Sequence, residues 1–148
     1  MKRLLLLFFL PICCLSQNMK LGDIYQGGII FYLSTNKQHG LICSTNNNKP
    51  ADWFEAIDMV SNPKHHSIMG KNYTDWRLPT KFELNELYRN KEMIDSVSLH
   101  NDGEAFENTF YWSATDADYD YAWRQNFKNG KHGKGRRHAG NIRAVRSF

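Results

Sequence analysis

DWRLPTKFELNEL, spanning Asp75 to Leu87, contains a complete helix start. Thr80 stands at the N-cap position and Glu83 three residues further on. At that spacing each side chain satisfies the other's free backbone N–H, a reciprocal capping box. Pro79 favours an extended entry and keeps the helix from beginning early. Leu84, Leu87 and Tyr88 then recur at helical spacing and predict one buried face. The lead-in, Trp76-Arg77-Leu78-Pro79, is apolar and aromatic enough to be anchored rather than free.

Downstream, FYWSATD (Phe110–Asp116) and YAWRQNF (Tyr121–Phe127) predict two strands. Alternation puts Phe110, Trp112 and Ala114 on one face of the first. It puts Tyr121, Trp123 and Phe127 on one face of the second, with Arg124 and Lys128 on the other. Asp116 to Asp120 connects the two. Asp95 to Asn108 reads as a long polar loop. Asn129-Gly130 is a tight-turn signal, followed by a loop rich in Gly, Lys and Arg. Asn141 to Phe148 is expected to be a closing strand, and its poor alternation predicts burial on both sides. Upstream, Gly22 to Gly28 is a turn-rich entry. Ile29–Leu33 and Leu41–Cys43 read as strands joined by the polar hairpin loop Thr35–Gly40, and TNNNKP (Thr45–Pro50) as a loop. A first helix starts at Asp52, with Glu55 three residues on. Trp53, Ala56, Ile57 and Val60 make its apolar stripe, and Asn62-Pro63 ends it.

The N-terminus of the 148-residue chain has the order of a secretory signal. Lys2 and Arg3 precede the apolar run Leu4–Ile12, and Cys14-Leu15-Ser16 offers small residues before Gln17. The run is shorter than the roughly 20 residues that span a bilayer. The expectation is a signal peptide over residues 1–17 and one exported domain over residues 18–148, destined for the periplasm, the cell surface or the medium, with no membrane span once the signal is removed. Cys13 and Cys14 fall in the signal, which leaves Cys43 alone and permits no internal disulfide. Packing must then hold the domain, and Trp53, Trp76, Trp112 and Trp123 all lie in it. Cys43, in the apolar run Leu41-Ile42-Cys43, reads as a small core residue rather than a nucleophile.

Charge is unevenly placed. From Arg124 onward there are eight basic residues and no Asp or Glu, whereas residues 18–123 carry nine basic residues against all fifteen acids. Such asymmetry hints at an anionic partner.

Taken together, GDIYQGGIIFYL, the Trp-containing helix, DWRLPTKFELNELY, YWSATD, AW and RAVRSF resemble the DUF1566 family, also called the Lcl C-terminal domain after a collagen-like adhesin. The resemblance runs from about Leu21 to Phe148. It implies an α+β, C-type-lectin-like domain, distantly similar to formylglycine-generating-enzyme domains. In it two helices flank a small, twisted, mainly antiparallel sheet where the chain ends meet. It also implies architectural roles for the motif residues. Trp76, Leu78 and Pro79 would anchor the entry to the capped helix, and Trp112 and Trp123 would fill the core. Arg77 would pair with a carboxylate or with carbonyls near the sheet, and Arg143 would belong to the terminal strand. The adhesin domain of this family is associated with sulfated glycosaminoglycans.

Three constellations could carry a function. Arg124, Lys128, Lys131, Lys134, Arg136 and Arg137 form a basic set, and guanidinium groups bind sulfate, carboxylate and phosphate through paired hydrogen bonds. The plainer reading is a solvated, charged loop. Nucleic acid is disfavoured by export and by aromatics committed to the core. Asp116, Asp118 and Asp120 spell D-x-D-x-D, but they lack the Gly and Glu of a calcium loop, and a polar turn is the plainer reading. His65-His66 are adjacent and ill placed to chelate one ion. His132 and His138 have no cysteine partners, so exposed histidines are expected and no metal or cofactor is. No Gly-x-Ser-x-Gly and no Cys–His pairing is present. No cysteine follows Cys43, so the cysteine chemistry of the formylglycine-generating enzymes does not carry over. The expectation is therefore a non-enzymatic binding domain without catalytic residues, recognising an acidic or sulfated glycan. The alternative is a module that recognises a cell-surface protein.

Overall fold

The computed structural model describes residues 18–148; the expected signal segment, residues 1–17, lies outside the described residues. Twelve regular elements follow in chain order: β1 (Ile24–Tyr25), β2 (Gly28–Leu33), β3 (Gly40–Cys43), β4 (Asn48–Ala51), α1 (Trp53–Ser61), α2 (Lys81–Arg89), α3 (Lys91–His100), β5 (Phe110–Asp118), β6 (Tyr121–Asn126), β7 (His132–Arg136), β8 (Gly140–Ile142) and β9 (Val145–Ser147). Single 3-10 turns at Pro63–His65 and Gly70–Asn72 lie between α1 and α2. No helix among the described residues is long and apolar enough to cross a membrane.

The strands form two sheets rather than the single one expected. One has the order β1-β2-β3-β9 and is antiparallel throughout, so the start and end of the domain meet in it. The other has the order β4-β8-β5-β6-β7, antiparallel except where β5 meets β8. The expected closing strand is thus two strands. β8 pairs in the second sheet and β9 in the first, and the chain crosses between them at Arg143 and Ala144. Every residue from Asn141 to Arg146 is buried, as the broken alternation predicted.

Two apolar clusters follow from this layout. One gathers Ile29, Phe31, Cys43, Leu84, Leu87, Ile94, Phe106, Tyr111, Phe127 and Val145. The other gathers Trp53, Ala56, Val60, Trp76, Leu78, Trp112, Ala122 and Ile142 with smaller neighbours. The first half of β5 lies between β8 and β6, with Tyr111 in one cluster and Trp112 in the other. Phe110, Trp112 and Ala114 therefore do not make one buried face: Tyr111, Trp112 and Ser113 are all buried while Ala114 is exposed. Burying a ring such as Trp112 contributes about 2–3 kcal/mol. Its indole Nε1 donates to the Ala51 carbonyl at 3.1 Å. A Cβ on Gly140 would meet that nitrogen at 2.7 Å, so β8 can approach the ring only as glycine there.

Both expected helices form with their caps. Asp52 accepts from the Glu55 N–H at 2.8 Å. Thr80 accepts from the Glu83 N–H at 3.2 Å while Glu83 accepts from the Thr80 N–H at 2.8 Å. On α1, Trp53, Ala56 and Val60 are buried, but Ile57 is exposed. A third helix, α3, occupies the first part of the stretch read as a polar loop. It buries only Ile94 and Ser98, with Met93 and Val97 packed beside the core. Its N-cap makes no side-chain hydrogen bond, because Asn90 closes α2 and donates to the Glu86 and Phe31 carbonyls instead. The basic stretch after Asn129-Gly130 is likewise not a loop but β7, paired along its whole length with β6.

Candidate functional site

The DWRLPT segment ties the two sheets together. Arg77 and Val145 of β9 exchange backbone hydrogen bonds, both at 2.9 Å, and the Ala114 N–H of β5 donates to the Pro79 carbonyl at 2.7 Å. Trp76, Leu78 and Pro79 are buried, and the Trp76 indole donates to the Gly70 carbonyl at 2.8 Å. Arg77 makes a two-pronged pair with Glu83, at 2.6 and 2.7 Å, so the capping glutamate also holds the lead-in. Burial pushes the Glu83 carboxyl up, but the Arg77 and Thr80 hydrogen bonds together with the Arg77 charge outweigh it and hold it below the ordinary range.

The closing motif completes this arrangement. Arg146 donates to both Asp75 oxygens, at 2.6 and 3.1 Å, and to Gln26 at 2.8 Å. The Arg146 hydrogen bond is the main cause that holds the Asp75 carboxyl low. Arg143 is fully buried and donates to the Ser44 carbonyl at 2.8 Å, the Glu104 carbonyl at 2.7 Å and Asn47 Oδ1 at 3.1 Å. Its guanidinium lies 4.3 Å over the Phe106 ring. Arg77, Arg143 and Arg146 thus direct their guanidinium groups at fixed oxygens within the domain.

The six basic residues read from the sequence do not share one face. Arg124 turns inward, 4.0 Å over the Phe110 ring. Lys128 and Lys131 flank the Asn129–Gly130 turn at one end of the β6–β7 hairpin. Arg137, at the other end, donates to the Asp116 carboxylate and to the Asp118 carbonyl at 2.8 Å, and it lies over the Trp53 and Phe54 rings at 4.5 and 4.9 Å. Lys134 and Arg136 do belong together: with His132 they alternate along one face of β7, opposite Trp123, Tyr121 and Gln125 of β6. Lys81, at the start of α2, adds a cation that the sequence reading missed. Its ammonium lies 3.6 Å over the Trp123 ring, with Lys134 at 5.9 Å from the same ring. Trp123 is therefore half-buried beneath two lysines rather than filling the core. The signal that could have found Lys81 is its place in the first turn of a helix whose axis had already been read. Burial, then the Lys81 charge, lowers the His132 imidazole below its usual value.

Of the D-x-D-x-D residues, Asp116 pairs with Arg137, and Asp118 lies 3.6 Å from Lys134. Asp118 also accepts from the Asp120 N–H at 3.3 Å. Among the described residues no cluster of His, Cys, Asp or Glu gathers as metal ligands do. His66 departs from the exposed histidine expected: it is half-buried, stacks on Trp76 at 4.8 Å between ring centres and bonds the Val60 carbonyl at 2.7 Å. Cys43 is fully buried, and burial pushes its thiol up to about 12, which removes the thiolate a nucleophile needs. Beyond the hairpin, α1 and the β5–β6 turn enclose an open cleft of about 650 Å³ lined by Phe54, Tyr119, Asp120, Arg136, Arg137 and His138.

Fold and surface define a small α+β domain with two mostly antiparallel sheets, with Trp76, Leu78, Pro79 and Arg143 buried near the sheet crossing and exposed basic residues on the last strand pair. The chain belongs to the Lcl C-terminal domain family, whose model matches residues 33–146. No curated protein matches the chain.

Proposed function

We propose that this chain is an exported, non-enzymatic binding domain of C-type-lectin-like fold that recognises an acidic or sulfated glycan. The observation that carries the reading is the cationic face of β7, where Lys134 and Arg136 share one side of the strand and Lys81 joins them across Trp123. Lys134 and Arg136, two residues apart on β7, stand about 6.6 Å apart at about 3.3 Å per residue, and Lys81 adds a third cation beside Trp123. Cations spaced in this way suit successive anionic groups along a chain better than one small ion. Lysines supply field and arginine supplies a paired hydrogen-bonding fork for sulfate or carboxylate. Membership of the Lcl C-terminal domain family agrees with this, given the glycosaminoglycan association of the adhesin from which it is named. The buried, protonated Cys43 thiol and the dispersed histidines favour binding over catalysis.

β7 is also an edge strand, and basic residues blunt such edges against pairing with other chains. Heparin chromatography separates the two roles. Lys81→Ala and the Lys134→Ala plus Arg136→Ala double variant are expected to elute from heparin at lower salt than the parent. The Lys128→Ala plus Lys131→Ala variant, of equal charge loss, is expected to shift less. Equal shifts for both double variants would leave only general charge and sink the reading.

A further inference from the structure

The cleft beyond the β6–β7 hairpin has a different chemistry from the cationic face. Two aromatic rings are exposed in it: Tyr119, 93% exposed at the tip of the β5–β6 turn, and Phe54, 59% exposed on α1. Its charges are balanced. Asp116 is matched by Arg137, and Arg136 donates to the Tyr121 hydroxyl at 3.3 Å, with the Asp120 charge adding a smaller support. Besides His138, the lining carries two negative and two positive groups. Such a site has no net field to gather an anion. It offers instead carboxylate acceptors and guanidinium donors side by side, the pattern that bonds neighbouring hydroxyls.

Its floor is fixed before any ligand arrives. Arg137 is held by Asp116, by the Asp118 carbonyl at 2.8 Å and by the Tyr121 carbonyl at 3.4 Å, while its flat face covers Trp53 and Phe54. The backbone carbonyl of Arg137 also accepts from the first N–H of α1 at 3.1 Å, which locks α1 to this end of the sheet. A volume of about 650 Å³ lies within the usual range of small-ligand sites, and a floor already held in place reduces the entropy lost on binding.

We propose that this cleft binds an uncharged sugar ring. The apolar C–H face of the ring stacks on Tyr119 and Phe54, and its hydroxyls bond Asp120, Asp116 and the Arg136 fork. The domain then holds two sites of unlike chemistry that meet at Arg136: a cationic strip for charged groups and a neutral cleft for a ring. This second site shares Arg136 with the polyanion reading but does not depend on it, because Tyr119, Phe54 and Asp120 take no part in that reading.

The test is a titration of the isotope-labelled domain with four neutral probes, maltotriose, cellotriose, chitotriose and mannotriose, followed by amide NMR. At least one probe is expected to shift the amides of residues 116–120 and 136–138. Its affinity should stay constant as salt is raised from about 50 to about 500 mM, since no ionic screening is involved. Tyr119→Ala is expected to weaken it about tenfold, the loss of one stacking contact. Tyr119→Trp should restore it, and Asp120→Asn should weaken it with the fold intact. Silence of those amides toward all four probes, affinity that falls with salt, or binding unchanged in Tyr119→Ala would each overturn the proposal.

Discussion

The acid-free C-terminal segment contributes to two regions that use the same residue type for opposite ends. At the sheet crossing, Arg143 is fully buried and surrounded by carbonyl and amide oxygens, and Arg146 is clamped to Asp75. At the far end of the second sheet, Lys134 and Arg136 stand in solvent on an edge strand. A buried guanidinium loses its hydration and must regain it from fixed oxygens, so it dictates where loops 44–47 and 104–106 lie. An exposed one keeps its water and dictates nothing about the fold, which frees it for a partner. Composition cannot tell these arginines apart; burial does.

The largest loss of stability is expected at Arg143. Arg143→Met is expected to cost about 3–5 kcal/mol, because it leaves the Ser44 and Glu104 carbonyls without their donor in a buried site. Urea denaturation at neutral pH measures it. A loss below about 1 kcal/mol would mean that the guanidinium only fills space, and the contrast between the two regions would fail.

Acid is expected to weaken the sheet crossing by a smaller amount. The folded Glu83 and Asp75 carboxyls both lie below their ordinary values of 4.5 and 3.8. The stability they contribute is therefore complete above those values and is lost as pH falls through the lower folded ones. Stability measured from pH 6 down to about pH 2 should decline along that path. The Asp75→Asn plus Glu83→Gln variant should start less stable and show a shallower decline. An unchanged slope would remove these two pairs from the account of the crossing.

The smallest effect belongs to the edge strand. The Lys134→Ala plus Arg136→Ala variant is expected to melt at the parent's temperature while losing heparin retention. A clear drop in its melting temperature would show that the β7 charges hold the fold as well, and the division between the two regions would blur.

Much of the crossing was legible in the sequence because its determinants are local. The capping box of Thr80 and Glu83 needs only three-residue spacing, and the Asp52 cap needs the same. α3 was missed because its N-terminal cap makes no side-chain bond and its buried face is small, one of its two buried residues being Ser98. β7 was missed because Gly133 and Gly135 alternate with basic residues, a pattern that looks like a loop until β6 supplies the partner strand. The basic set was read as one site because neighbours in sequence were taken as neighbours in space. Arg124 on the inner face and Arg137 beneath Phe54 show how pleat and pairing separate them.

Sequence alone was enough for the starts of α1 and α2, the turn at Asn129-Gly130 and the family signature, because each rests on spacings of a few residues. Only the tertiary structure decided the rest. Asp75 meets Arg146, Arg77 meets Val145 and Lys81 covers Trp123 only after two sheets have packed across one another. Those pairings depend on burial and on strand order, quantities that residue spacing along a chain does not carry.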